Sequence, residues 1–569
     1  MRLDGYLERL LSEVDEGRLM AECREVSQEV RLSGSPEEER AFRYVARRLE
    51  EIGFAVRLGH HPGYVSWPGP AALEVSGLGA LPCITHAMAQ PCAALEGEIL
   101  DLGAMRAEEV RRQQISGRIA LLDGVANPQS VQAAEAGGAI AEIFVSGNKR
   151  HEMIVSPVWG SPGLDDLARL PRTPSVSIDV AAGERLRLRL RGGKVTARMW
   201  AEVDTRWREL PLLEADLPAP GGDGSFVLFS GHIDSWYLGA MDNGSANALM
   251  LELARILQPR QGALARGLRL CFWSGHSHGR YAGSAYYADL HHFELSDHCV
   301  VHVNVDSPGG QGAVDLGHAI ASAELRSLGG QAIAPESEEP YEGTPPLRAG
   351  DESFLGFGVP ALFMEVSEQP FAGEGNSGVS AGGGLGWWWH TPEDTLDKLD
   401  SAFLARDARI YLRAIWHLLI EPVLPMRAAD AAAEVLLMLK ARQAQAGRRL
   451  DLGEAILHAQ RLVQRAERVD LEADRLRATG DAANPRQVRR ANGRLMALSR
   501  ALGPIRYSRI GPFGQDPALP QGILPGLERV AALAALADGD PLIRHLQVDL
   551  VRERNRIVAG LAAARAALR

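Results

Sequence analysis

The stretch FVLFSGHIDSWYLGAMDNGSANALMLELARIL, residues 226–257, decides the fold. An apolar run, FVLFS, gives way to a turn rich in Gly and Asp, and the turn opens directly into a helical pattern. Near-continuous apolar runs of this kind return in LRLCFWSGHSH (268–278), CVVHVNVDS (299–307) and VPALFMEV (359–366), with helices between them. Runs of about five to eight apolar residues separated by helices predict an α/β fold, a mixed but mostly parallel sheet covered by helices on both faces. Ligands of such sheets collect where strands end. His232, His278 and Asp306 each lie just past an apolar run.

Within the first stretch, His232 can bind a cation through one ring nitrogen, and Asp234 can orient the imidazole. Asp242 either joins them or caps the helix that its loop introduces. In FWSGHSHGRYAGS (272–284), His276 and His278 follow a strand two residues apart, so either or both could ligate. Asp306 is a candidate ligand or a turn residue. In HTPEDTLDKL (390–399), Thr391, Pro392 and Asp394 predict a capped helix start, which leaves His390 without a structural duty. The preceding GVSAGGGLGWWW (378–389) reads as a loop whose Trp387, Trp388 and Trp389 wall a pocket or pack in a core.

Outward from this centre, Ser35-Pro36-Glu37-Glu38 predicts a helix start and Gly53 its end, with a strand at 54–58. Short β-rich runs, RIALLDG and AEIFVSG, surround one Ala-rich helix and mark residues 81–200 as a separate insert. Residues 1–80 and 201–425 make the α/β domain. Residues 426–569 are dominated by Ala, Leu and Arg at helical spacing, broken by GPFGQDPALPQGILPG (511–526), and predict a helical domain used for packing or dimerisation.

At 569 residues with 46% apolar content the chain is a folded multidomain protein. A formal charge of -11 without a basic stripe disfavours nucleic acid and anionic membranes as partners. Five cysteines without a CxxC pair argue for a reducing compartment, and no window is apolar enough to span a membrane, so a cytoplasmic location is expected. Lysine occurs only at 149, 194, 398 and 440 against abundant arginine, the composition of a GC-rich bacterial genome.

GHIDSW with GAMDNGSA, FWSGHSHGRYAGS, NVDS, RAGDESFLGFGVPAL and HTPEDTLDKL resemble, in order and spacing, the M28 zinc peptidases, and among them the glutamate carboxypeptidase II and transferrin receptor branch. The resemblance extends to the insert, similar to a protease-associated domain, and to RALGPIRYSRIGPFGQDPA (500–518), similar to the family's helical dimerisation domain. It implies a homodimer, a small peptide or amide substrate, and two divalent cations, zinc before manganese or cobalt. His232 and Asp306 would hold one cation, His390 and His278 the other, and Asp242 would bridge them, with Asp234 behind His232. Arg280, Trp389 and Asp351 fall near the substrate.

One departure matters. Where the family carries a Glu-Glu pair, counting back from Gly283-Ser284 gives Ser277 and His278. His278 keeps a ligand, whereas Ser277 removes the carboxylate that would take a proton from water, an aid typically worth about 10² to 10⁴-fold. His276 is then expected to serve as base, with Glu352 a second candidate. The resemblance implies a metal-dependent amide hydrolase; the alternatives are a non-hydrolytic binding or assembly protein, and a metal-assisted reaction such as the cyclisation that glutaminyl cyclases perform on a related fold.

Overall fold

A computed structural model describes residues 3–370, 384–480 and 483–569. Strand Phe226–His232 lies at the centre of the sheet, parallel to Gly267–Trp273 on one side and to Cys299–Asn304 on the other. Ala361–Leu362 extends the parallel part. Beyond Gly267–Trp273 the sheet turns antiparallel, through Thr196–Leu217 and then Ala55–Val75. Every residue of the central strand is buried, the result of cover on both faces.

Side chains divide between those faces with the period of two that a strand dictates. Val227, Phe229, Leu268 and Leu270 join the larger core under helices Pro36–Ile52, Ala246–Leu257 and Ser401–Ile420, while Phe226, Leu228, Cys271 and Trp273 pack against Tyr287 of helix Ala282–Leu290. His232 closes the central strand, the 274–281 turn follows its neighbour, and Asp306 lies two residues past the third strand. The topology therefore delivers three ligand-type segments to one edge.

Helix Pro36–Ile52 has the expected ends: Ser35 Oγ accepts from the Glu38 amide, and Gly53 takes the left-handed conformation. The strand expected at 54–58 instead runs from Ala55 to Val75, because it pairs along its length with Thr196–Leu217. This two-stranded ribbon leaves the α/β domain and carries the insert. There, Cys92–Gly103, Ile119–Asp123, Ala141–Val145 and Ser175–Ile178 form a parallel series, with helices Pro128–Ala136 and Val180–Leu190 and cores of their own.

The helix expected to begin at Thr391 is absent. Residues after His390 form turns, and the helix starts at Ser401, capped by Asp400. Asp394 has a longer-range task, given below. Helices Ala428–Ala446, Gly453–Thr479, Pro485–Arg506 and Leu542–Ala567 make the C-terminal region. Buried Arg506 fastens it to the α/β domain through Glu324 at 2.8 Å, and within the region it pairs with Glu434 at 2.7 Å. The segment after that helix returns to the sheet edge, where the Ala518 amide donates to the Pro157 carbonyl at 2.8 Å and Gln515 Nε2 to the Ser353 carbonyl at 2.9 Å. All five cysteines are free, and no described helix is long and apolar enough to cross a membrane.

Candidate metal centre

His232 Nδ1 lies 2.9 Å from the Asp234 carbonyl. A carbonyl only accepts, so Nδ1 carries the proton and Nε2 is presented to the site. His390 repeats the device, with Nδ1 donating to the Glu152 carbonyl at 2.6 Å. Between the two rings stands Asp242: its Oδ1 is 3.2 Å from His232 Nε2 and its Oδ2 is 2.9 Å from His390 Nε2. Each oxygen of one carboxylate thus serves a different imidazole.

The Asp242 loop is held from below. Asp394, buried, accepts the amides of Met241 and Asp242 on its two carboxylate oxygens, at 2.9 and 3.0 Å. Asn243 accepts the Ser307 amide at 3.0 Å and so ties this loop to the strand end bearing Asp306. Helix Ala246–Leu257 starts without a side-chain cap, so Asp242 is not spent on helix initiation.

Asp306 takes the Ser307 hydroxyl on Oδ1 and turns Oδ2 toward His232 Nε2 at 3.5 Å and His276 Nε2 at 3.9 Å. His276 is oriented by Asp351, whose Oδ2 accepts Nδ1–H at 2.8 Å while Oδ1 accepts the Ser284 hydroxyl. Asp351 is 1% exposed and does not line the cavity; it stands behind an imidazole, where a substrate contact was expected. His232, His276 and Asp306 offer ligand atoms within 4.8 Å of one another, and among the described residues no other such group of three forms.

These residues fit a divalent cation. His232 Nε2 and Asp242 Oδ1 are buried without hydrogen-bond partners, an arrangement that normally has an explanation. In tetrahedral zinc coordination, ligand atoms about 2.0 to 2.1 Å from the ion stand about 3.3 Å apart, close to the 2.9 to 3.5 Å spacings around Asp242 and His232. Burial depresses His232, but Asp306, Asp234 and Asp242 outweigh it and hold the imidazole well above its usual range. Gathered carboxylates thus demand positive charge at Nε2, a proton or a cation.

His278 is placed differently from its neighbour. It is fully buried, with Nδ1 3.0 Å from Ser33 Oγ, Nε2 without a partner, and its ring against Trp236 at 4.4 Å. It neither lines the cavity nor joins the group of three. Asp234 accepts the Ser277 amide at 2.8 Å and the Ser33 hydroxyl at 2.7 Å, fixing the turn that carries both histidines. Its two-residue spacing could not reveal which ring turns inward, because the turn is not extended. Ser277 lines the cavity with an unpartnered hydroxyl, and Glu352 is buried beside His302, away from the cavity.

The cavity holds about 760 Å³. Met153 and Ile154 come to it from the insert, Trp236, Arg280, Glu365 and Trp389 from the α/β domain, and residues 518–522 from the C-terminal region. Arg280 spends its guanidinium on the Ser156 and Ile154 carbonyls, and Trp389 stacks on His390 at 3.4 Å. The expected loop at 378–383 lies outside the described residues. Ser33, Glu365 and residues 519–522 carry no motif that identifies them in the sequence, and HTPED marks Asp394 only as part of a helix start. Of these, only the Pro/Gly character of 511–526 signals an ordered excursion.

Residues 215–415 match the family model of peptidase family M28. Over these residues the chain is similar to the M28 peptidases. Its fold is similar to that of an aminopeptidase from Aneurinibacillus sp. strain AM-1, at 22% identity over 73% of this chain and 96% of that one, TM-score 0.55. A peptidase M28 precursor from Shewanella amazonensis SB2B is similar at 18% identity, 72% and 95% coverage and TM-score 0.57. BSAP, a zinc aminopeptidase from Bacillus subtilis, is similar at 18% identity, 72% and 97% coverage and TM-score 0.53. No curated protein sequence matches the chain. Every ligand-type residue described above falls within the matched residues 215–415, while parts of the cavity wall come from outside them.

Proposed function

We propose that the protein is a metal-dependent hydrolase of an amide bond in a peptide, a dipeptide or an N-acyl amino acid. The observation that carries this reading is the single carboxylate of Asp242 shared between His232 and His390. His232, His276 and Asp306 would hold one cation, with Asp242 beside it; Asp242 and His390 would hold a second, more weakly for want of a third side chain. Two imidazoles with carboxylates suit zinc. A cation there polarises an amide carbonyl and acidifies water.

The chain's own residues do the rest. Asp351 and the Asp234 and Glu152 carbonyls keep three imidazoles in the tautomer that offers Nε2 inward. Trp236, Trp389 and Leu519 wall a space of the size that takes a small ligand, about 300 to 1,000 Å³. Support for the glutamate carboxypeptidase II-like branch is the order of parts, an insert followed by a helical region. That region's exposed Leu437 and Leu471 suit pairing of two copies, checked by sedimentation at micromolar concentration, where a monomer contradicts it.

The test is turnover of a panel of aminoacyl and N-acetyl-aminoacyl 4-nitroanilides before and after 1,10-phenanthroline. Expected is turnover abolished by the chelator and restored by zinc; turnover that ignores the chelator refutes metal dependence. Serine in place of a carboxylate at 277 favours a second reading, a binding protein. Metal bound with no turnover across the panel would select it.

A further inference from the structure

The cavity wall contains a carboxylate with no structural task. Glu365 follows directly on Met364, whose carbonyl accepts the Asp306 amide at 2.8 Å. The parallel register pairs His302 with Ala361 and Val303 with Leu362. Continued at the same offset, it sets residue 365 beside Asp306. Glu365 lines the cavity together with Asp242, His276, Ser277, Asp306 and His390, and it hydrogen-bonds to none of the described residues.

Its rivals for a proton are already engaged. Asp242 and Asp306 face imidazole nitrogens. His276 gives Nδ1–H to Asp351, and its Nε2 belongs to the ligand group, so that lone pair is not free to take a proton. Glu528, also on the wall, accepts the Gly522 amide at 2.7 Å. Ser277 offers a hydroxyl with no base beside it.

We propose that Glu365 is the proton-transferring residue of this site, taking the place of the carboxylate missing at Ser277. The inference rests on the hydrolase reading. As water attacks, its oxygen bonds to the amide carbonyl carbon and one of its protons passes to Glu365. The carbon–nitrogen bond then breaks, Glu365 returns that proton to the leaving nitrogen, and the second water proton stays with the new carboxylic acid until solvent takes it. Glu365 ends the cycle in the form in which it began, and no other reactant is consumed. This carboxylate comes from a different strand end than the 276–278 turn, so a site that lacks the Glu-Glu pair keeps a base by recruiting from beside Asp306, across the sheet from that turn.

The test compares zinc-loaded full-length wild type with Glu365→Gln and Glu365→Asp, after elemental analysis and thermal melting show equal metal content and folding. The binding arm titrates acetohydroxamic acid calorimetrically at pH 6 in two buffers of different protonation enthalpy. Wild type is expected to retain the proton that the probe loses; Glu365→Gln is expected to release about one proton and bind at least tenfold more weakly. Equal proton counts with affinities within twofold overturn the proposal. In the kinetic arm, kcat on the nitroanilide panel is expected to fall about 10² to 10⁴-fold in Glu365→Gln with KM within threefold, and to recover in part in Glu365→Asp. A KM increase confined to substrates with a free amine, at unchanged kcat, assigns Glu365 to substrate anchoring and overturns the proposal. Absence of wild-type metal or turnover counts against the hydrolase reading; wild-type behaviour of Glu365→Gln counts against Glu365 alone.

Discussion

The imidazole of His276 lies flat against that of His232, with ring centroids 3.7 Å apart and planes 10° from parallel. Both rings turn Nε2 toward Asp306 Oδ2. His278, two residues on, is packed against Ser33 and Trp236 instead. His276→Ala is therefore expected to lower zinc affinity by more than the roughly 10 to 100-fold that loss of a ligand's hydrogen-bond partner costs. His278→Ala is expected to keep the metal but lose stability, about 1 to 3 kcal/mol, by stripping partners from buried polar groups. Elemental analysis after dialysis, set beside chemical unfolding, separates the two; metal loss in His278→Ala alone would reverse the assignment.

Ser277→Ala deletes a hydroxyl that has no partner. Turnover within about threefold of wild type is expected. A loss comparable to that of His276→Ala, measured on the same 4-nitroanilide, would give Ser277 a chemical role.

Asp394 holds the Asp242 loop through two amides. An asparagine at 394 keeps one acceptor and turns an NH₂ toward the other amide. Zinc affinity about 10 to 100-fold weaker is expected, read by competition with a chromogenic chelator, and an unchanged affinity would show that the loop is held without it.

This residue also shows where the sequence is legible and where it is not. HTPED has every feature of a capped helix start, and local chemistry alone predicts one. The structure uses Asp394 across the fold, more than 150 positions from its partners in the chain, and no local pattern encodes such a pairing. The strand-helix alternation of residues 226–307 is readable because burial on both faces forces long apolar runs. His232, Asp242, Asp306 and His390 are legible as ligand candidates because each follows an apolar run or precedes a turn, although a helix cap at Asp242 and a turn at Asp306 account for those two equally from sequence. Choosing between His276 and His278 requires the path of a turn, and Glu365 looks like the polar end of an apolar strand.

In the insert, burial raises the Glu142 carboxyl to about 8 against an ordinary 4.5, despite hydroxyls donated by Ser175 and Thr173. The folded state keeps the proton between those values and the unfolded state gives it up, so stability falls as pH rises from about 4.5 to 8 and levels off above. The full effect is of order 5 kcal/mol at most. Glu142→Gln is expected to flatten this decline, seen as hydrogen exchange of strands Ala141–Val145 and Ser175–Ile178 at pH 5 and pH 8. An equal pH dependence in both proteins would mean that Glu142 ionises freely in the fold.

Arg506 is 1% exposed and balances two carboxylates, Glu324 and Glu434. Arg506→Ala leaves buried Glu324 without a cation, while Glu434 keeps Arg326 at 3.3 Å, a loss of about 3 to 5 kcal/mol. Urea unfolding monitored by circular dichroism checks it; a loss under 1 kcal/mol would mean that water replaces the guanidinium.

The central claim, that Asp242 joins His232, His276, Asp306 and His390 into a cation site, is tested most directly by counting metal. Full-length protein equilibrated with zinc and passed over a chelating resin is expected to retain at least one equivalent per chain, and the Asp242→Asn and His232→Ala variants are expected to retain far less at equal folding. Wild type emerging with no zinc, or variants that hold as much as wild type, would contradict it.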